Sequence, residues 1–207
     1  MKKVISFRPN VISNGTAFEC MALIYKYLQN HFDYKFTVIK SEDDEYQDPN
    51  LEVVSIPKTY WKPVRRTPLF IYPQFKKKCI DNLFSEADLL LTVDPTIYPQ
   101  GLLAIRAAHR LHKPVWFDAS LTTMGAGKNF YWKLIRPIIR KALYQTTGII
   151  ITVPKCIERF LDLGLFDEEI SKKFTLMGHP VDTKKFIPLS PLSESDGIVR
   201  IIVVSRF

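Results

Sequence analysis

Two short apolar runs limit what this chain can fold into more than any other feature. "DLLLTV" (88–93) and "GIIITV" (148–153) show no polar alternation. A strand with one wet face alternates; a run that does not must be covered on both sides, as inside a parallel sheet flanked by helices. The intervening segments supply the rest. "KKVISF", "KFTVIK", "LEVVSIP", "KPVWFDA" and "KKFTLM" read as further strands. "GTAFECMALIYKYLQNHF", "YPQFKKKCIDNLFSEA" and "YPQGLLAIRAAHRLH" carry apolar residues at helical spacing, and "PKCIERFLDLG" has Pro at its start and Gly at its end. "KNFYWKLIRPIIRKALYQ" reads as a helix interrupted by Pro137. Strands alternating with helices predict an α/β fold, a Rossmann-like parallel sheet with helices on both faces.

The pattern breaks at "GHPVDTKKFIPLSPLSESDG", whose Pro, Ser and Gly content marks a linker, and resumes in the terminal run "VRIIVVSRF". The expected organisation is an α/β domain over 1–177, a linker over 178–197 and the first strand of a further domain over 198–207.

Composition fits one core: 46% of the 207 residues are hydrophobic and 24% charged. Cys20, Cys79 and Cys156 are scattered and lack C-x-x-C spacing, and no His pair has metal-ligand spacing. Neither a disulfide framework nor a metal site is expected, and a reducing compartment fits. "MKKVISFRPN" is too short in its apolar part for a signal peptide, and no stretch approaches a membrane span, so a cytoplasmic location is expected.

The net charge of +8 is unevenly spread. No acid occurs from Pro57 to Ile80, nor between Asp118 and Glu158, while bases recur in both segments. A field of this sign suits anionic lipid, phosphate or nucleic acid. No helix-turn-helix, zinc-finger or RNP-like pattern is present, so nucleic acid is not an expected partner. In the Pro137 segment, Trp132, Lys133, Arg136, Arg140 and Lys141 mix an aromatic with bases in the manner of a helix lying on an anionic bilayer. That predicts peripheral contact with the inner face of a membrane. The alternative is a helix packed on the sheet with solvated bases outside.

Candidate site residues follow from where open α/β sheets bind ligands, the carboxyl ends of their strands. Asp118 and Ser120 end one strand, and Asp94, before a Pro, ends another. Asp94 and Asp118 can each contact a hydroxyl or simply cap a turn. Asn14, Gly15 and Thr16 join the first strand to the first helix, where Gly15 allows close approach and free N–H groups favour anions; a plain turn would look the same.

Three segments, in order and at plausible spacing, resemble the N-terminal half of family 4 (group 1) glycosyltransferases, retaining enzymes of the GT-B fold. "KPVWFDAS" is similar to the strand in which a Pro is followed four residues on by Asp and six on by His. "LMGHPVDTKKFIP" looks like the interdomain signature, a Gly-x-Val-Asp followed by Phe and Pro, and "RIIVVSRF" like the first strand of the second domain, which usually ends Val-Gly-Arg. The resemblance implies the N-terminal domain of a GT-B fold: the acceptor-binding half of a transferase using a nucleotide-diphosphate sugar and no metal, inactive alone. It implies a lipid-linked or cell-surface glycan as acceptor. Arg206 would contact the donor diphosphate, with the backbone around Asn14, Gly15 and Thr16 nearby. Asp118 and Ser120 would be catalytic and Asp94 acceptor-side, but Ser120 stands where the family has His and cannot supply an imidazole. The alternative reading is a non-catalytic half that binds a membrane or a partner chain.

Overall fold

A computed structural model describes residues 1–9, 16–61, 74–119 and 130–178. Its strands are β1 (Lys2–Phe7), β2 (Tyr34–Ser41), β3 (Glu52–Ile56), β4 (Leu89–Val93), β5 (Val115–Ala119), β6 (Gly148–Ile151) and β7 (Phe174–Leu176). Its helices are α1 (Thr16–His31), α2 (Lys58–Trp61), α3 (Gln74–Phe84), α4 (Pro99–Arg110), α5 (Phe130–Gln145), α6 (Lys155–Asp162) and α7 (Glu168–Ser171). The strands form one seven-stranded sheet in the order β3-β2-β1-β4-β5-β6-β7, with every pairing parallel. The Rossmann-like sheet expected from the two apolar runs is the one found.

Alternation along β1 sets the two cores. Val4 packs with Phe18, Met21 and Tyr25 of α1 and with Phe36 and Val38. Its neighbours Ile5 and Phe7 point the other way, joining Leu90, Phe117 and Ile149 under α3, α4, α5 and α6. Both apolar runs, in β4 and β6, sit inside the sheet, and all four residues of β6 are buried.

Strand order reverses between β1 and β4, because the chain leaves β1 toward β2 and β3 and later returns on the opposite side. Crevices of open α/β sheets form at such a point, at the carboxyl ends of the strands. Helix α4 closes in on the edge there through Gly101. A Cβ at that position would lie 2.2 Å from the Val93 carbonyl oxygen, so only glycine lets the first turn of the helix meet the strand backbone.

Two departures from expectation have local causes. Pro137 does not interrupt α5, which runs unbroken from Phe130 to Gln145. Pro137 and Lys133, whose carbonyl loses its usual donor, both lie on the exposed face, where solvent can take the carbonyl. Short helices α2 and α7 were not legible as helices; α7 forms where Asp167 caps it, its side chain accepting from the Ile170 amide. The glycine stop after α6 is found, with Gly164 at φ +65°. Among the described residues no helix is long and apolar enough to cross a membrane. The expected linker and terminal strand fall almost wholly outside the described residues.

Candidate functional site

Among the described residues, the carboxyl edge of the sheet holds two ion pairs made by buried arginines, one on each face. On the α1 face, Arg8 follows β1 and is 2% exposed. Its Nη2 donates to Asp118 Oδ1 at 2.6 Å and its Nη1 to Oδ2 at 3.2 Å. Its Nε donates to Ser6 Oγ at 3.1 Å, and Ser6 Oγ lies 3.0 Å from Tyr25 Oη. The guanidinium also lies over the Phe18 ring, 5.8 Å from its centre. Burial works against the Arg8 charge, but the Asp118 carboxylate and the Tyr25 hydroxyl outweigh it and hold the guanidinium above its ordinary pKa. Arg8 is a permanent cation at the switch point.

On the other face, Asp94 follows β4 and Arg159 comes from α6. Arg159 Nη1 donates to Asp94 Oδ2 at 2.8 Å, and both side chains are almost fully enclosed. Asp94 Oδ1 accepts from the Thr96 amide at 2.8 Å and from the Thr96 hydroxyl at 2.5 Å, and Arg159 Nη2 also donates to Thr96 Oγ. The Asp94 carbonyl accepts from the Tyr98 amide at 2.9 Å. The network braces the turn that leads from β4 into α4.

Unmet polar groups gather at the same edge. Ser41 Oγ, at the end of β2, and Gln100 Nε2, in the first turn of α4, are the buried side-chain polar atoms without a hydrogen-bond partner among the described residues.

Several expectations change here. Asp94 does not face an acceptor: its carboxylate is 1% exposed and committed to Arg159 and Thr96, the turn-forming alternative. Asp118 does stand at the edge, a quarter exposed, but both its oxygens accept from Arg8. That occupation suits a positioning group better than a free base. Thr16 is the first residue of α1. Asn14, Gly15, Ser120 and Arg206 lie outside the described residues.

Trp132 is not a membrane-contact residue, because it is 3% exposed and its Nε1–H donates to the Leu163 carbonyl at 3.3 Å. Lys133, Arg136, Arg140 and Lys141 are exposed, as expected of a basic outer face. Arg140 is engaged there, its Nη2 donating to Asp167 Oδ2 at 2.9 Å and its Nε to the Tyr144 hydroxyl at 3.2 Å.

The sequence reading passed over Arg8 and Arg159. A usable signal existed for the second: on α6 the buried set is Cys156, Arg159 and Phe160, so an arginine interrupts an apolar face. An arginine there needs a buried acid. For Arg8, the signal is weaker, an arginine directly after a buried strand.

Parallel sheet and switch point together define a Rossmann-like α/β domain. Solved structures agree on the fold. A UDP-N-acetylglucosamine 2-epimerase aligns with 86% of this chain and 48% of its own at TM-score 0.53 and 13% identity. S. aureus MnaA, in a co-structure with UDP, aligns over 86% of this chain and 44% of its own at TM-score 0.54 and 11% identity. Phytolacca americana UGT2, complexed with UDP-2fluoro-glucose and pterostilbene, covers 82% of this chain and 52% of its own at TM-score 0.46 and 10% identity. The chain thus spans about half the length of the structures it matches. Neither a protein-family model nor a curated protein sequence matches the chain.

Proposed function

We propose that this chain is the acceptor-binding half of a retaining, nucleotide-sugar-dependent glycosyltransferase of family 4, acting on a lipid-linked or cell-surface glycan at an anionic membrane. The observation that carries it is the polar carboxyl edge at the β1/β4 switch point, into which the sequence signatures at Asp118–Ser120 and at the β1–α1 connection both lead. In this reading Arg8 and Asp118 tie the strand ends that frame the crevice, and the sequence resemblance makes Ser120 and the segment around Gly15 the candidates for substrate contact. Arg206 would meet the donor diphosphate and stabilise charge on the leaving group. The exposed bases Lys133, Arg136 and Lys141 of α5 would face the lipid. No metal enters the scheme.

A second reading, a nucleotide-sugar epimerase, is favoured by two neighbours with TM-scores above 0.5, both of which relate to UDP-sugar chemistry by name or by bound UDP. One experiment separates them. The natural reading frame is followed past Phe207, and the resulting full-length protein is incubated with UDP-sugars, with and without membrane glycolipid extract. Release of UDP with a matching mass gain on the glycolipid supports transfer. An isomeric UDP-sugar made without acceptor supports epimerisation and overturns the transferase. A stop codon directly after Phe207 removes the one-chain form of either enzyme and returns the partner-binding half to first place.

A further inference from the structure

The groove between α4 and α5 lies at the other end of the sheet from the crevice. Both helices run back from carboxyl ends of strands toward the amino ends of the next, and the groove is lined by their later turns: Arg106, His109 and Arg110 from α4, and Ile138, Lys141 and Gln145 from α5. It measures about 300 Å³, at the small end of ligand sites. A strand of five residues, roughly 15 Å, separates the two ends.

The charges in this groove are not all accounted for by the fold. Arg110 is neutralised, because its Nε donates to Asp81 Oδ2 at 3.2 Å and its Nη2 to Asp81 Oδ1. Arg106 and Lys141 differ: among the described residues neither has an ion pair or hydrogen bond to any other side chain or backbone group. Helix dipoles do not explain them either. The favourable effect of a base is confined to the last turn, which in α4 holds His109 and Arg110 and in α5 no base. Arg106 is also partly sunk between the helices. Burial first, and then the neighbouring Arg110 charge, push its guanidinium below its ordinary pKa. A half-buried cation without a counter-charge, beside a second free cation, is relieved by an anion.

We propose that this groove binds a phosphate-ester group, forked by the Arg106 guanidinium and held from the other wall by the Lys141 ammonium. Guanidinium geometry matches phosphate oxygens two at a time, and an ammonium adds a point charge. Ile138 supplies an apolar wall for the ester carbon. This site uses none of the residues at the carboxyl edge, but it shares Lys141 with the bases that the proposed function turns toward lipid, and binding of a soluble phosphate ester separates the two.

The test uses the whole chain with three probes: glycerol 3-phosphate, vesicles of phosphatidylglycerol in phosphatidylcholine, and vesicles of phosphatidylcholine alone. Binding is measured by calorimetry and sedimentation. Binding of glycerol 3-phosphate assigns a soluble phosphate ester; binding only of phosphatidylglycerol vesicles assigns a lipid headgroup. In either case Arg106→Gln and Lys141→Gln should each weaken binding about tenfold, a loss of ~1.4 kcal/mol, while the exposed Lys155→Gln at the opposite edge changes it less than twofold. Lys141 is on the surface, so Lys141→Gln keeps the fold and carries the test if Arg106→Gln is unstable. No binding beyond phosphatidylcholine with any probe, or an equal loss in Lys155→Gln, overturns the site.

Discussion

Arg8, at the end of β1, reaches past the end of β4 to grip both carboxylate oxygens of Asp118 in β5, at 2.6 and 3.2 Å. Neighbouring strands are about 4.8 Å apart, so this one contact staples strand ends roughly 10 Å from each other. It fixes the rim of the crevice at the point where the sheet changes direction.

Removing one partner of that staple strands the other. Asp118→Asn leaves the buried Arg8 charge without a counter-ion, and such losses cost about 3–5 kcal/mol when burial is complete. Asp118 is a quarter exposed, so the expected loss is toward the lower end, about 3 kcal/mol. Urea unfolding should show a lower midpoint with an unchanged slope. A loss under about 0.5 kcal/mol would mean the pair is an ornament of the surface.

The Asp94–Arg159 pair is the more enclosed of the two and should couple more strongly. Asp94→Asn and Arg159→Met are each expected to destabilise by about 3–5 kcal/mol, and the double variant by clearly less than their sum. Thr96→Val belongs in the same cycle, because its hydroxyl donates to Asp94 and accepts from Arg159. Strict additivity among the three would show that they do not act as a network.

How much of this was legible beforehand follows from what kind of residue carries each feature. Apolar runs such as Leu89–Val93 and Gly148–Ile151 announce a buried parallel strand by themselves, so the sheet could be read directly. Asp118 could be placed at a strand end because the strand before it was readable. Its partner could not be, since 110 residues separate Arg8 from Asp118 and only the folded strand order brings them together. Trp132 misled for a related reason. Aromatic residues among bases look alike whether the ring faces lipid or core, and the deciding contact is to Leu163 in a different element. Ser120, the segment around Gly15 and Arg206 stand on the sequence resemblance.

Acid should weaken the contact between α5 and α7 in a defined window. The Asp167 carboxyl accepts from the Tyr144 hydroxyl first, then from the Ile170 amide and Arg140, which together lower its pKa from 3.8 to about 2. The unfolded chain therefore takes up this proton at higher pH than the fold does. The stabilisation is complete above about pH 4 and fades as pH falls through about 2. Asp167→Asn should lower stability at neutral pH and flatten this part of the acid-unfolding curve. A wild-type curve already flat between pH 4 and 2 would contradict the assignment.

Gly101 tests how tightly α4 is seated on the edge. An added methyl would overlap the Val93 carbonyl oxygen, 2.2 Å away, and press on Pro95, whose backbone is hardly free to move. Gly101→Ala removes a glycine from a helix, which alone would help by about 0.5–1 kcal/mol. Overpacking of this kind costs about 1–3 kcal/mol, and here the obstacle is backbone, so the net effect should be a loss of about 1–2 kcal/mol. A stabilised variant in thermal melts would show that α4 stands farther from β4 than the structure has it.

Trp132 separates packing from surface contact within one helix. Trp132→Phe keeps most of the buried ring volume but loses the hydrogen bond to the Leu163 carbonyl and leaves that acceptor to find another donor. The expected cost is about 1–2 kcal/mol of stability, seen as a drop in Tm. Binding to phosphatidylglycerol vesicles, measured on the folded variant, should match the wild type, because the indole is 3% exposed and has no surface to offer a bilayer. Lys133→Gln on the same helix should do the reverse, leaving stability within about 0.5 kcal/mol of wild type while weakening any vesicle binding that α5 provides, since its ammonium is exposed. Loss of vesicle binding in Trp132→Phe at unchanged stability would put the indole back at the membrane.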